Sequence, residues 1–281
     1  MHWTAGRVKV TKIVELDLTG GTRFILPQAT TEEALKLPWL VPEFANDQGR
    51  LRMTIHALVV ETQTRRILVD TGLGNDKQGR GVPAWNGLST PFLAHLTAAG
   101  YPPDSIDTVL CTHLHVDHVG WNTHLVDGRW VPTFRGARYL FGRTEYDHWA
   151  RHRDEAGAPF DDSVQPIVDA GRATLIDADF RVSDEISLLA TPGHSPGHLS
   201  VLIESEGEQL LLAGDAAHHP VQFAHPDWSS TADYDAAAAA ETRRILFRRF
   251  ADTPTQIIGG HFAGGRIVRD GDAFRMAMTN S

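Results

Sequence analysis

The segment Thr112-His113-Leu114-His115-Val116-Asp117-His118-Val119-Gly120 constrains this chain more than any other. It follows directly on Ile106 to Cys111, an apolar run that reads as a short buried strand after the Pro102-Pro103 turn. Three imidazoles and one carboxylate within six residues suit borderline divalent ions such as zinc, which take nitrogen and oxygen ligands at roughly 2.0–2.2 Å. In an extended turn leaving a strand, alternate residues share a side, so His113 and His115 face together. Asp117 and His118, opening a helical turn, face a second position. One short segment is thus able to feed two ions.

Two ions need more donors, and the chain offers them at similar places. Thr191-Pro192-Gly193-His194 follows a strand expected over Ile186 to Ala190. Gly214-Asp215 follows one over Gln209 to Ala213, and Gly259-Gly260-His261 follows one over Thr255 to Ile258. Strand ends are where α/β folds gather their sites, and a glycine beside the ligand lets the backbone approach closely. Histidine is in surplus, at 15 residues, but isolated ones such as His95 and His124 read as surface or core. His198 reads as a residue that supports the site from behind, or a structural one. The single cysteine, Cys111, excludes an internal disulfide and a thiolate cage, and reads as an inert buried thiol.

The remaining pattern is that of one α/β domain over 1–281. With 42% hydrophobic and 22% charged residues and only 15 prolines, the chain is neither disordered nor fibrous. Its net charge of −9 argues against nucleic acid as a partner. No apolar run approaches the ~20 residues of a membrane span, and MHWTAGRVKV lacks a signal peptide's apolar stretch, so a cytoplasmic protein is expected. Further strands are expected at Val8 to Leu18, Met53 to Glu61, Arg66 to Val69, Arg138 to Phe141, Ala173 to Ile176 and His198 to Ile203. Helices are expected at Thr90 to Ala99, Thr144 to His152, Asp161 to Ala170 and Asp233 to Phe250, the last capped by Asp233 or Thr231 with Ile245, Leu246 and Phe250 as its apolar stripe. Strands in two groups separated by helical patches suit two mixed sheets with helices outside. Residues 24–49 form an irregular stretch broken by Pro27, Pro38 and Pro42, with exposed-looking apolar residues, and read as a lid or an interface.

The HxHxDH motif followed by a distal His, an Asp and a last His resembles the metallo-β-lactamase superfamily. The resemblance runs from Asp70-Thr71-Gly72 to His261, with all five usual motifs in order. It implies an αββα sandwich of two mixed β-sheets flanked by helices, with two metal ions at one edge between the sheets. It further implies that His113, His115 and His194 hold one ion, that Asp117, His118 and His261 hold the other, and that Asp215 bridges them together with a hydroxide. Asp70 matches a support residue that accepts hydrogen bonds behind the site. Zinc is the default ion, and manganese, iron or cobalt suits the same donors.

The chemistry expected of such a site is hydrolysis, since metal binding lowers the pKa of water from ~15.7 to roughly 7. Asp117, with a spare carboxylate oxygen, would orient the hydroxide or move its proton. Within the superfamily, redox members carry Glu at the position of His115, and β-lactamases with HxHxDH tend to lack the bridging Asp. The chain is most similar to the quorum-quenching lactonase and methyl-parathion-hydrolase-like group. Lactonases of that group carry a Tyr three residues after the bridging Asp, donating to the substrate carbonyl, and here that position is His218. The expected function is therefore cleavage of a lactone, carboxylic ester or aryl phosphotriester, with Asp117 and His218 catalytic. A β-lactamase-like amidase, a glyoxalase-type thioesterase and a non-catalytic binding member are the alternatives. Loop aromatics Trp85, Trp121, Phe223 and Trp228 suggest a small-molecule substrate with a hydrophobic or aromatic part. The group's usual habit implies a homodimer.

Overall fold

The strands expected from alternating or continuous apolar runs form in the computed structural model, which describes residues 1–20, 24–153 and 159–278. By its internal contacts the chain divides into two compact units, Met1–Leu16 with Ile55–Ala178, and Asp17–Thr54 with Asp179–Ser281.

The strands of the first group, in chain order, are β1 (His2–Ala5), β2 (Val8–Thr19), β3 (Arg52–Glu61), β4 (Arg66–Val69), β5 (Thr108–Cys111), β6 (Thr123–Val126), β7 (Arg129–Pro132), β8 (Arg138–Gly142) and β9 (Ala173–Ile176). Seven of them make one sheet in the order β1-β2-β3-β4-β5-β8-β9. The β1–β2 and β3–β4 pairs are antiparallel, whereas β4, β5, β8 and β9 run parallel. All four residues of β5 are buried, which explains its unbroken apolar reading: a central parallel strand is covered on both faces. The unit's core gathers Ile13, Leu68, Phe92, Val109, Tyr139 and Phe141. The β6–β7 hairpin is absent from the sequence reading. Its signal is Asp127-Gly128, whose φ values of 49° and 75° suit the tight two-residue turn that right-twisted strands prefer.

The second group comprises β10 (Ile186–Ala190), β11 (Leu199–Ser205), β12 (Glu208–Gly214), β13 (Gln256–Gly259), β14 (Gly265–Asp270) and β15 (Ala273–Ala277), paired in that order as a six-stranded sheet. Only β12 and β13 run parallel, and the connection between them carries the helix Ala236–Phe250. Both sheets are therefore mixed, as the strand grouping suggested. The long helix starts later than expected. Its cap is Asp235, which accepts from the backbone N–H of Ala237 and Ala238 at 3.0 Å each, not Asp233 or Thr231. Leu246, Phe247 and Phe250 are buried, but Ile245 is 56% exposed and lies off the apolar stripe.

Residues 24–49 are less open than their sequence suggested. They hold a helix, Thr31–Leu35, capped by the Thr30 side chain, and a 3-10 turn, Pro38–Leu40. Leu26, Leu40 and Phe44 enter the core of the second unit with Leu211, Phe223 and Phe247. Of the segment's large apolar side chains, Phe24 and Leu35 stay exposed, at 52% and 50%. Among the described residues no helix is long and apolar enough to cross a membrane.

Candidate metal centre

In the first unit the chain leaves β5 through Thr112 and His113, and His115 ends the extended stretch just before a single helical turn, Val116–Val119. The ring centroids of His113 and His115 lie 4.6 Å apart, and those of His113 and His118 lie 4.0 Å apart. His113 and His118 are buried, while His115 and Asp117 are half-buried. Asp70 sits behind them at the end of β4. Its Oδ1 accepts the Thr112 backbone N–H at 2.8 Å, and its Oδ2 accepts the Thr112 hydroxyl at 2.9 Å and lies 2.9 Å from Nδ1 of His118. Asp70 thus backs both ends of the histidine loop, at Thr112 and at His118. Glu145, on the helix Arg143–Arg151, steadies the same loop by accepting the Leu114 N–H at 3.2 Å and the Trp149 indole N–H at 2.7 Å.

In the second unit three imidazoles converge on one carboxylate oxygen. Oδ2 of Asp215, just past β12, lies 3.6 Å from Nε2 of His194, 3.4 Å from Nε2 of His218 and 3.0 Å from Nε2 of His261. Two of these rings are held at their other nitrogen. His194 Nδ1 lies 3.0 Å from Oδ1 of Asp233, and His261 Nδ1 lies 3.1 Å from the Thr54 carbonyl oxygen. His198 stands directly behind Asp215, whose backbone N–H its Nε2 accepts at 2.9 Å. His218 is fully enclosed, and neither ring nitrogen makes a hydrogen bond. Burial pushes its imidazole down to about 3, partly offset by the Asp215 carboxylate. The neighbouring His219 is spent on structure: Nε2 lies 2.8 Å from the Phe44 carbonyl oxygen, and Nδ1 accepts from Val221.

The donor set fits divalent ions. His194, Asp215 and His218 offer ligand atoms within 4.8 Å of one another. Imidazoles whose far nitrogen is fixed by a carboxylate or carbonyl present the other nitrogen in one tautomer and one direction, which is how protein metal sites orient their ligands. A buried imidazole with two unsatisfied nitrogens is also costly unless something else is bound by it.

Two of the four loop aromatics are core residues, contrary to their reading as pocket candidates. Trp121 stacks on Phe92 at 5.7 Å and donates its indole N–H to Glu15 at 2.7 Å. Phe223 packs on Phe247 at 4.4 Å. Trp85 and Trp228 keep partial exposure. Cys111 is buried, and burial drives its thiol well above the ordinary range, in line with an inert group. Sequence reasoning gave Asp233 only as a helix cap and missed Arg243 and Glu145, because no local spacing connects these residues to the groups they touch.

The sequence profile of the metallo-beta-lactamase superfamily matches residues 52–261, a span that takes in all seven expected ligands. An N-acyl homoserine lactonase of Bacillus thuringiensis is 30% identical over 186 residues, covering 62% of this chain and 68% of that protein. Among solved structures, AidC, a dizinc quorum-quenching lactonase in complex with a product, is similar with a TM-score of 0.77 at 21% identity, covering 100% of this chain and 97% of that one. The hydrolase AbOPH of the beta lactamase superfamily gives a TM-score of 0.79 at 24% identity, with the same coverage of 100% and 97%. At those identities the two structures speak for the fold alone.

Proposed function

This chain belongs to the metallo-beta-lactamase superfamily of metal-dependent hydrolases and has its fold, mixed sheets with flanking helices; from that premise we propose that it is a dinuclear hydrolase cleaving a lactone, a carboxylic ester or an aryl phosphotriester. The observation that carries the reading is the convergence of His194, His218 and His261 on Asp215, with His194 and His261 each fixed from behind. The family's ligand pattern assigns His113, His115 and His194 to one ion, Asp117, His118 and His261 to the other, and Asp215 to both. Zinc is the ion we assign. The lactonase relative favours a lactone as substrate.

Bound divalent ions would supply a hydroxide nucleophile at neutral pH and polarise the substrate oxygen. The chain's own residues do the rest. Asp117 orients the attacking water and takes its proton, which returns to the leaving alkoxide as the acyl–oxygen bond breaks. Water is thereby added across that bond with no covalent enzyme intermediate. His218 donates to the substrate carbonyl oxygen, a reading supported by its two ring nitrogens making no hydrogen bond within the chain. We assign the molecule to a homodimer in which the exposed Phe24 and Leu35 of segment 24–49 take part, and light scattering of a monomer would remove that assignment.

The test is a side-by-side assay on one zinc-loaded preparation, with an acyl-homoserine lactone and a neutral aryl phosphotriester as substrates. Turnover dominated by the lactone supports signal degradation as the role. Phosphotriester turnover dominating moves the protein to the organophosphate-cleaving branch. No turnover of either by protein carrying two ions overturns the reading.

A further inference from the structure

We propose that Asp233 and Arg243 are a positioning pair that sets the orientation of His194 and, through it, the affinity of the ion His194 holds. The inference rests on the reading of His194 as a metal ligand.

The loop that carries His194 is seated on the start of the long helix by a set of independent contacts. Tyr234 and Asp235 donate their backbone N–H groups to the carbonyls of His194 and Gly193, each at 2.9 Å. The Thr242 hydroxyl donates to the Pro192 carbonyl at 2.6 Å. Gly193, at φ 129°, lies so close to the backbone of Ala238 and Ala239 that any Cβ there would collide with it. The backbone of the loop is therefore fixed against the helix, and one freedom is left, rotation of the imidazole about its side-chain bonds.

Asp233 removes that freedom. Its Oδ1 lies 3.0 Å from Nδ1 of His194, a contact spanning 39 residues of sequence. The other oxygen accepts the Ser230 N–H at 2.9 Å and lies 3.5 Å from an Arg243 guanidinium nitrogen. Arg243 is itself fully buried: Nε donates to the Pro226 carbonyl at 2.8 Å, Nη2 donates to the Ser229 hydroxyl at 3.2 Å, and Nη1 faces Asp233 alone. A carboxylate held by an arginine is a stronger acceptor for an imidazole N–H than a neutral carbonyl. The pair thus keeps the Nδ1–H tautomer of His194 and turns Nε2 toward Asp215. A buried arginine and a buried carboxylate are an expensive choice for mere packing, since an apolar pair of similar volume is often as stable.

The test is metal titration of the full chain, stripped of ions, against a competing chelator, with cobalt(II) absorption as a second readout. The proteins are the wild type, Asp233→Asn, Asp233→Asn with Arg243→Met, Arg243→Lys and His194→Ala, each checked for folding by circular dichroism. The double substitution removes both buried charges, so a folded protein is available even where Asp233→Asn alone, which strands the arginine, does not fold. The expected result is that His194→Ala loses an ion, that the Asp233 variants bind it about 10- to 100-fold more weakly with an altered cobalt spectrum, and that Arg243→Lys stays near wild type. Wild-type affinity and spectrum in the double variant, with an ion lost in His194→Ala, overturns the positioning role and leaves the ligand assignment standing. Wild-type binding in His194→Ala overturns the ligand assignment, and the inference with it.

Discussion

Oδ2 of Asp70 lies 2.9 Å from Nδ1 of His118 while the same carboxylate takes both the backbone N–H and the hydroxyl of Thr112. One buried side chain thereby fixes the start of the histidine loop and the ring at its far end. Asp70→Asn keeps the shape but cannot accept from all three donors. We expect a loss of about 10- to 100-fold in affinity for the ion held by His118, and about 1.5–3 kcal/mol of lost stability in the stripped protein. Chelator competition and urea unfolding check this, and unchanged values in both would discard the support role.

Asp117→Asn retains a ligand oxygen but no basic carboxylate. It should leave at least one ion bound and lower turnover by roughly 10²- to 10⁴-fold, the usual range for a lost acid–base group. Metal analysis alongside kcat separates the two effects, and retained turnover rules out the proposed proton transfer.

His218→Ala should weaken turnover while leaving both ions in place. Loss of an ion instead would make His218 a ligand, a reading open to it because its Nε2 lies 3.4 Å from Asp215 Oδ2. Unchanged turnover and metal content would make it a filler of the loop.

Chelation should abolish hydrolysis and lower the thermal midpoint, with zinc restoring both. An ion present at about a thousand times its dissociation constant adds about 4 kcal/mol to stability, since it binds only the folded chain. Calorimetry with and without chelator measures this, and an identical midpoint would argue against tightly held ions.

Lys77 gives a pH dependence away from the metal residues. Its Nζ lies 2.6 Å from the Thr123 hydroxyl, 2.9 Å from the Asp162 carbonyl oxygen and 3.5 Å from the Trp130 ring centroid. Burial lowers its ammonium from 10.5 to about 7, with the Asp162 carboxylate opposing. Between those values the unfolded chain binds more protons than the folded one. Stability from this residue therefore rises with pH from about 7 and levels off near 10.5, by up to about 1.4 kcal/mol per pH unit. Urea unfolding of wild type and Lys77→Met across that interval should give diverging curves. Parallel curves would refute the shift.

Much of the site is legible locally. A strand end followed by HxHxDH must bring its imidazoles to one place, because residues two apart in extended chain share a face. The ring centroids of His115 and His118 lie 4.6 Å and 4.0 Å from that of His113. The helix cap shows where local reading fails: Asp233 and Asp235 are equally good candidates by type. Only Asp235 stands two and three residues before the N–H groups it caps, which leaves Asp233 to reach His194.

By itself, then, the sequence determined where the candidate donor side chains stand, which strands they follow and that both sheets are mixed, since donor chemistry and apolar periodicity are properties of short segments. What only the tertiary structure decided is which groups stand behind those donors. Asp70 meets His118 across 48 residues, and Asp233 meets His194 across 39. Phe44 and Leu40, from a stretch that looked like loop, lie in the core of their unit. Hydrogen bonds and apolar contacts of this kind depend on the path of the whole chain, and no spacing within a motif encodes that path.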